Sequence, residues 1–344
     1  MNKILPIAKL PISTFPSINA PLAIALAHKE TIPWFYNKFV QIYGTKGKVL
    51  NLYGCFIDGD ASPGSCPFIT RNVLRRDYID KNFPSFTEFA LHCINSDYYP
   101  YVFLNRFYIE CSENYMKNHF PHQMFLCGYN DVQNTFLGAD FFHGVYEFKE
   151  ISFENIEKGY QKYSKTIKHN GNWHFPEVIM YGFKQIDWKF DFEILISSLE
   201  DYLYERDSTK IFYYWFPQNV QKKLQYGLAY YKTLLQLLSD GIADIRAFHI
   251  LYEHKKMMNM RLEYLSNTFN YTNSEVSNAY KKFEEIALIM RNIILKCNFK
   301  KKDDCFYNIK EMIEDLKSEE IEVLYILIDS LKKFIKDRPD ILNI

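Results

Sequence analysis

The chain has 344 residues, and its 41 Lys and Arg balance 41 Asp and Glu, so the formal net charge is zero. A nucleic-acid binder would carry an excess of basic residues, and that class is set aside. Hydrophobic residues make up 48%, which excludes a disordered chain and suits one large or two ordinary domains.

The opening MNKILPIAKLPIST lacks the apolar core of a signal peptide. Pro6, Pro11 and Pro16 predict an extended lead-in. Asn19 is placed to cap a short apolar helix over Pro21–Lys29, which Pro33 would stop. Residues 34–54 mix strand and loop signals, and 58–67 (DGDASPGSCP) reads as loop. A helix is expected over Phe86–Ser96 and short strands over 98–110. His122–Tyr129 and Thr135–Phe142 are apolar runs separated by turn-forming NDVQN, a β-hairpin signal. Beyond 150 helical periodicity takes over. One helix opens at Ser152, and another covers 242–265 with Ile245, Phe248, Leu251, Met258 and Leu262 on one stripe. A third follows the capping-box match Thr272-x-x-Glu275, and the last runs over about 310–336. The expected fold class is α+β, with a first domain over 1–150 and an all-helical domain over 151–344.

No run of about 18 apolar residues occurs, so no membrane span is expected. Neither G-x-G-x-x-G nor G-x-x-x-x-G-K-[ST] is present, and glycine is scarce at 13, so no nucleotide or other cofactor is expected. Seven cysteines, an odd number with no C-x-x-C, argue against a disulfide framework and a structural zinc site. His119, His122 and His143 are too weakly patterned for a metal to be expected. These features predict a soluble, cytoplasmic protein.

The hairpin carries the chemistry. A turn centred near Val132 sets residue 124 opposite 140, and side chains 122 and 124 share a face. Asp140 then lies diagonally across the ladder from His122, about 7–8 Å away at Cα. A carboxylate there would fix the imidazole tautomer, the base-and-orienter half of a nucleophilic triad. The plainer alternative is a strand-end histidine and a turn aspartate, and a one-residue slip in register would separate the two.

The run His122–Phe142, with its Gly-Tyr-Asn-Asp turn, the Ala-Asp at 139–140, Tyr146-Glu147-Phe148 and the helix from Ser152, resembles the His/Asp hairpin of papain-like, bacteriocin-peptidase-like proteins. More specifically it resembles the butirosin biosynthesis protein H family. Phe103–Ile109 and the helical stretches 244–246, 253–255 and 261–265 extend the likeness over most of the chain. The resemblance implies a papain-like N-terminal half, an early helix packed on an antiparallel sheet, and a Cys-His-Asp site. In that family the nucleophilic Cys opens the early helix. This sequence departs there: it has no Cys, and by spacing from Pro21-Leu22 the position falls at Ser17. Asn19 and the N–H groups opening the helix would help hold an oxyanion. A Ser enzyme, a lost activity, or a thiol recruited from elsewhere remain open. Cys66, beside the 58–67 loop, is the reserve nucleophile, and its plain reading is a small buried loop residue.

The expected function is an acyltransferase or amide-bond-forming enzyme of specialised-metabolite, thiotemplate biosynthesis. It would move an acyl group from an acyl or peptidyl carrier protein to a small-molecule amine, and Lys300–Lys302 could meet an acidic carrier surface. The alternatives are a non-catalytic papain-fold protein that binds a carrier protein or peptide, and a peptide or amide hydrolase.

Overall fold

The computed structural model describes residues 2–49, 52–56, 66–163, 177–208, 224–300 and 306–343. Most of the 58–67 loop, Lys301 and Lys302, and Cys305 lie outside them. The chain forms two compact units, one of residues 1–31 and 66–186, the other of 32–65 and 187–344. Neither coincides with a division at residue 150, which falls inside a sheet strand.

In the first unit the strands are β1 (Asn2–Ile4), β4 (Ile69–Arg75), β5 (Tyr99–Asn105), β6 (Pro121–Asn130), β7 (Thr135–Phe142), β8 (Val145–Ser152) and β9 (Glu177–Phe183), with β2 and β3 belonging to the other unit. They form one antiparallel sheet in the order β4-β9-β5-β6-β7-β8, and β1 pairs with the far end of β6. The segment 177–183 is therefore a sheet strand and not part of an all-helical half. Its partners lie about 80 and 110 positions upstream, at β5 and β4, and such pairing leaves no local signature.

The helices of this unit are α1 (Pro16–Ala25), α3 (Arg76–Asn82), α4 (Phe86–Asn95) and α5 (Phe153–Gln161). Ser85 and Ser152 cap α4 and α5 by accepting the N–H of Glu88 and Asn155. α1 starts earlier than expected. Phe15 is its N-cap and Pro16, with its fixed φ, occupies the first turn. Pro21 sits inside the helix, where it has no N–H to offer the Ser17 carbonyl. Pro33 does not act as a stop: it lies in the first turn of α2 (Ile32–Asn37).

Alternation assigns the helices to opposite faces of the sheet. Tyr99 and Phe183 share one face, because Tyr99 pairs with Tyr181. The Tyr99 hydroxyl donates to the Pro6 carbonyl, His28 stacks on Phe183, and Ala8 donates to the Ala23 carbonyl, so α1 lies on this face. Leu104 and Phe136 point the other way. Leu104 lies below Gly159 of α5, and Phe136 meets Phe153 at the start of α5. Phe86 of α4 stacks on Tyr160 of α5, which completes that layer.

The second unit has a three-stranded antiparallel sheet in the order β10-β2-β3, formed by β2 (Ile42–Val49), β3 (Leu52–Phe56) and β10 (Leu224–Tyr226). Around it lie α2, α6 (Phe192–Leu203), α7 (Tyr230–Ser239), α8 (Ile245–Phe269), α9 (Ser274–Lys300) and α10 (Phe306–Asp337). Asp244 caps α8, and Asn273, rather than Thr272, accepts the N–H of Val276 at the start of α9. Val276, Tyr280, Phe283, Ala287 and Met290 form the buried stripe of α9. Among the described residues no helix is long and apolar enough to cross a membrane.

Candidate functional site

The site is built at one end of β6 and β7. Near the turn, Asn130 pairs with Thr135 and Gly128 with Leu137, but beyond Cys127 the pairing is Leu126 with Gly138 and Phe125 with Ala139. Cys127 is thus an extra residue, a bulge that shifts the register by one. With that shift, His122 and Asp140 emerge on the same face.

His122 Nδ1 and Asp140 Oδ1 are 2.7 Å apart. A carboxylate only accepts, so the ring proton sits on Nδ1 and the lone pair of the neutral ring is on Nε2. Nε2 makes no hydrogen bond among the described residues. The His122 side chain is 23% exposed and Asp140 only 1%, so the carboxylate is buried and the imidazole partly exposed. Phe120 stacks against the ring at 5.8 Å between centroids.

The rest of the site centres on Arg106, in the short 3-10 turn 106–108 after β5. Its Nε and Nη2 approach Asp140 Oδ2 at 2.9 and 2.8 Å. Nη2 also donates to the Phe141 carbonyl, and Nη1 lies 3.1 Å from Glu113 Oε1. The second Asp140 oxygen accepts the Phe141 N–H as well as the imidazole. Glu113 sits below its ordinary carboxyl range. Desolvation works against this, and backbone N–H groups, Arg106 and His143 outweigh it. The sequence reading did not single out Arg106 or Glu113. The available signal was a guanidinium inside the aromatic run 101–109, which can be buried only with a carboxylate partner.

The other expected site residues are not gathered here. Ser17 lies in the first turn of α1, and α1 covers the sheet face opposite the one that carries His122 and Asp140. It makes no hydrogen bond to His122 among the described residues. The N–H groups of Ile18 and Asn19 both donate to the Phe15 carbonyl, so they are not free to meet an oxyanion. Asn19 is not the cap: it is fully buried, with neither carboxamide atom hydrogen-bonded among the described residues. Burial pushes the Cys66 thiol up to about 12, although the N–H groups of Phe68 and Ile69 oppose this. Burial likewise pushes Cys93, Cys111 and Cys127 to about 12, so none of the four favours the thiolate. His119 is held by Asn105 and stacked on Phe107, and His143 occupies the β7–β8 turn at φ 49°. Among the described residues, no group of three His, Cys, Asp or Glu side chains is placed to hold a metal ion.

No protein-family model matches the chain, and no curated protein matches it. The likeness in the hairpin motif therefore stands as a resemblance.

A second cluster, in the other unit, went unread in the sequence. Lys255 Nζ of α8 lies 2.5 Å from Glu320 Oε1 of α10, and both side chains are fully buried. Tyr231 and Tyr202 donate to Glu320 at 2.7 and 3.3 Å, and His254 is hydrogen-bonded to the Val40 carbonyl. Burial, and then Lys255 and Arg261, push His254 well below the ordinary imidazole value. Lys255 occupies a position of the apolar stripe Leu251–Met258–Leu262, and Glu320 one of the stripe Leu316–Leu324–Leu327. The cluster is closed to solvent and pins α8 to α10.

Proposed function

We propose that the chain is an acyltransferase in which His122, oriented by Asp140, acts as general base on an amine acceptor. The observation that supports this is the Nδ1 bond to a buried carboxylate, on a partly exposed ring whose Nε2 makes no hydrogen bond among the described residues. The acyl donor, a carrier-protein thioester, comes from the family resemblance, as do the papain-like fold and the cytoplasmic, specialised-metabolite setting. The position of Ser17 and the raised thiols of Cys66, Cys93, Cys111 and Cys127 favour direct transfer over an acyl-enzyme. The amine nitrogen attacks the thioester carbonyl and its proton passes to Nε2. The C–S bond then breaks, and the departing thiolate takes that proton from the imidazolium. The products are an amide and a free carrier thiol.

The test is to incubate the protein with an acyl-carrier protein and a panel of amines. Amide formation and the intact mass of the protein are followed together. Amide without an acylated protein supports direct transfer, and a persistent acyl adduct overturns it. Acyl release to water alone makes the protein a hydrolase. The placement of Ser17 also favours a second reading, a non-catalytic carrier- or peptide-binding protein. Carrier binding with neither amide nor hydrolysis would be its signature.

A further inference from the structure

We propose that Arg106 is a positioning residue that governs the protonation of the His122–Asp140 pair. The inference rests on the reading of His122 as a base. Three charges alternate in a chain that ends on the imidazole: Glu113, the buried Arg106 and the buried Asp140, which holds the partly exposed ring. A buried carboxylate facing only a histidine would either take a proton itself or hold the ring as imidazolium. Both N–H contacts from Arg106 fall on Oδ2, which leaves Oδ1 to the ring and the Phe141 N–H. The carboxylate's charge is then already met by the guanidinium, which is how Arg106 bears on the proton shared by the pair.

Among the described residues no second cation takes the place of Arg106: Tyr101, Tyr146 and Cys111 also interact with the Asp140 charge, and none of them is basic. From β5, the residue opposite His122 is the apolar Leu104. On β8, Glu147, opposite Asp140, is paired with Lys149. On α5, Glu154 pairs with Lys158, and Glu157 accepts from Thr87. His119 is held by Asn105, and the His143 N–H donates to Glu113.

The experiment is an NMR titration of the His122 ring protons in the full-length protein. Arg106→Met should make the pair take up its proton at higher pH, by about one to three pK units. Arg106→Lys, which keeps the charge, should titrate near the wild type. Glu113→Gln alters a half-exposed side chain and should fold. It should move the midpoint down, because Arg106 then acts on Asp140 unshared. If Arg106→Met does not fold, the other two variants decide. An unmoved midpoint in Glu113→Gln, or a large rise in Arg106→Lys, overturns the assignment. A shift without amide formation keeps the role of Arg106 and removes acyl transfer; amide formation without a shift does the reverse.

Discussion

His122 stands directly opposite Leu104 in the register of β5 and β6, on the sheet face covered by α5. Ser17 belongs to α1, on the other face. Ser17→Ala is therefore expected to leave amide formation unchanged and to remove no acyl adduct. Rate and intact mass measured on the same sample check this. Loss of turnover with the fold intact would put Ser17 in the chemistry.

Tyr101 is buried on the α1 face, and its hydroxyl has no hydrogen-bond partner among the described residues. Burial first, and then the neighbouring Tyr181, Tyr146 and Asp140, push it well above the ordinary phenol value, so it stays protonated. A buried hydroxyl without a partner costs about 1–3 kcal/mol. Tyr101→Phe is expected to raise the melting temperature, by about 2–4 °C for each kcal/mol recovered. A fall would show that an ordered water completes the hydroxyl's bonding.

Lys255 and Glu320 form a fully buried ion pair. Removing one partner strands a charge, and Lys255→Met or Glu320→Gln is expected to cost about 3–5 kcal/mol in urea denaturation. The double variant Lys255→Met, Glu320→Leu should cost less than either single change. Costs that simply add would show that the two charges are not coupled.

His254 has a folded-state pKa well below that of an exposed imidazole, because it is fully buried. Below about pH 6.5 the unfolded chain binds a proton that the folded chain does not. The stability contributed by the neutral ring is therefore complete above that pH. It is lost as the pH falls from 6.5 towards the folded value, at about 1.4 kcal/mol per pK unit of depression. Urea midpoints between pH 7.5 and 5 should drop more steeply for the wild type than for His254→Gln. Parallel slopes would contradict the assignment.

Local signals in the sequence showed the hairpin, the Ser152 cap and the long amphipathic helices, because periods of 2 and 3.6 residues are written into neighbouring positions. The His122–Asp140 pair was legible for a less secure reason. The pairing extrapolated from the turn is one residue out near Asn130, and the Cys127 bulge restores it at the site. Without that bulge, alternation would have set the two side chains on opposite faces. β9 leaves no local signal because its partners are distant in sequence, and α1 begins before Asn19, a cap-type residue, because Pro16 is already in the first turn. Arg106, Lys255 and Glu320 are not legible in the sequence, because a charge within an apolar pattern reads as an interruption until its partner is known.

The most direct measurement is amide formation from an acyl-carrier thioester by wild type and His122→Gln, with both proteins shown to be folded by circular dichroism. Loss of a positioned general base predicts a fall of about 10²–10⁴-fold with little change in unfolding midpoint. Equal rates in the two proteins, or a folded wild type that forms no amide with any carrier and amine offered, would contradict the account.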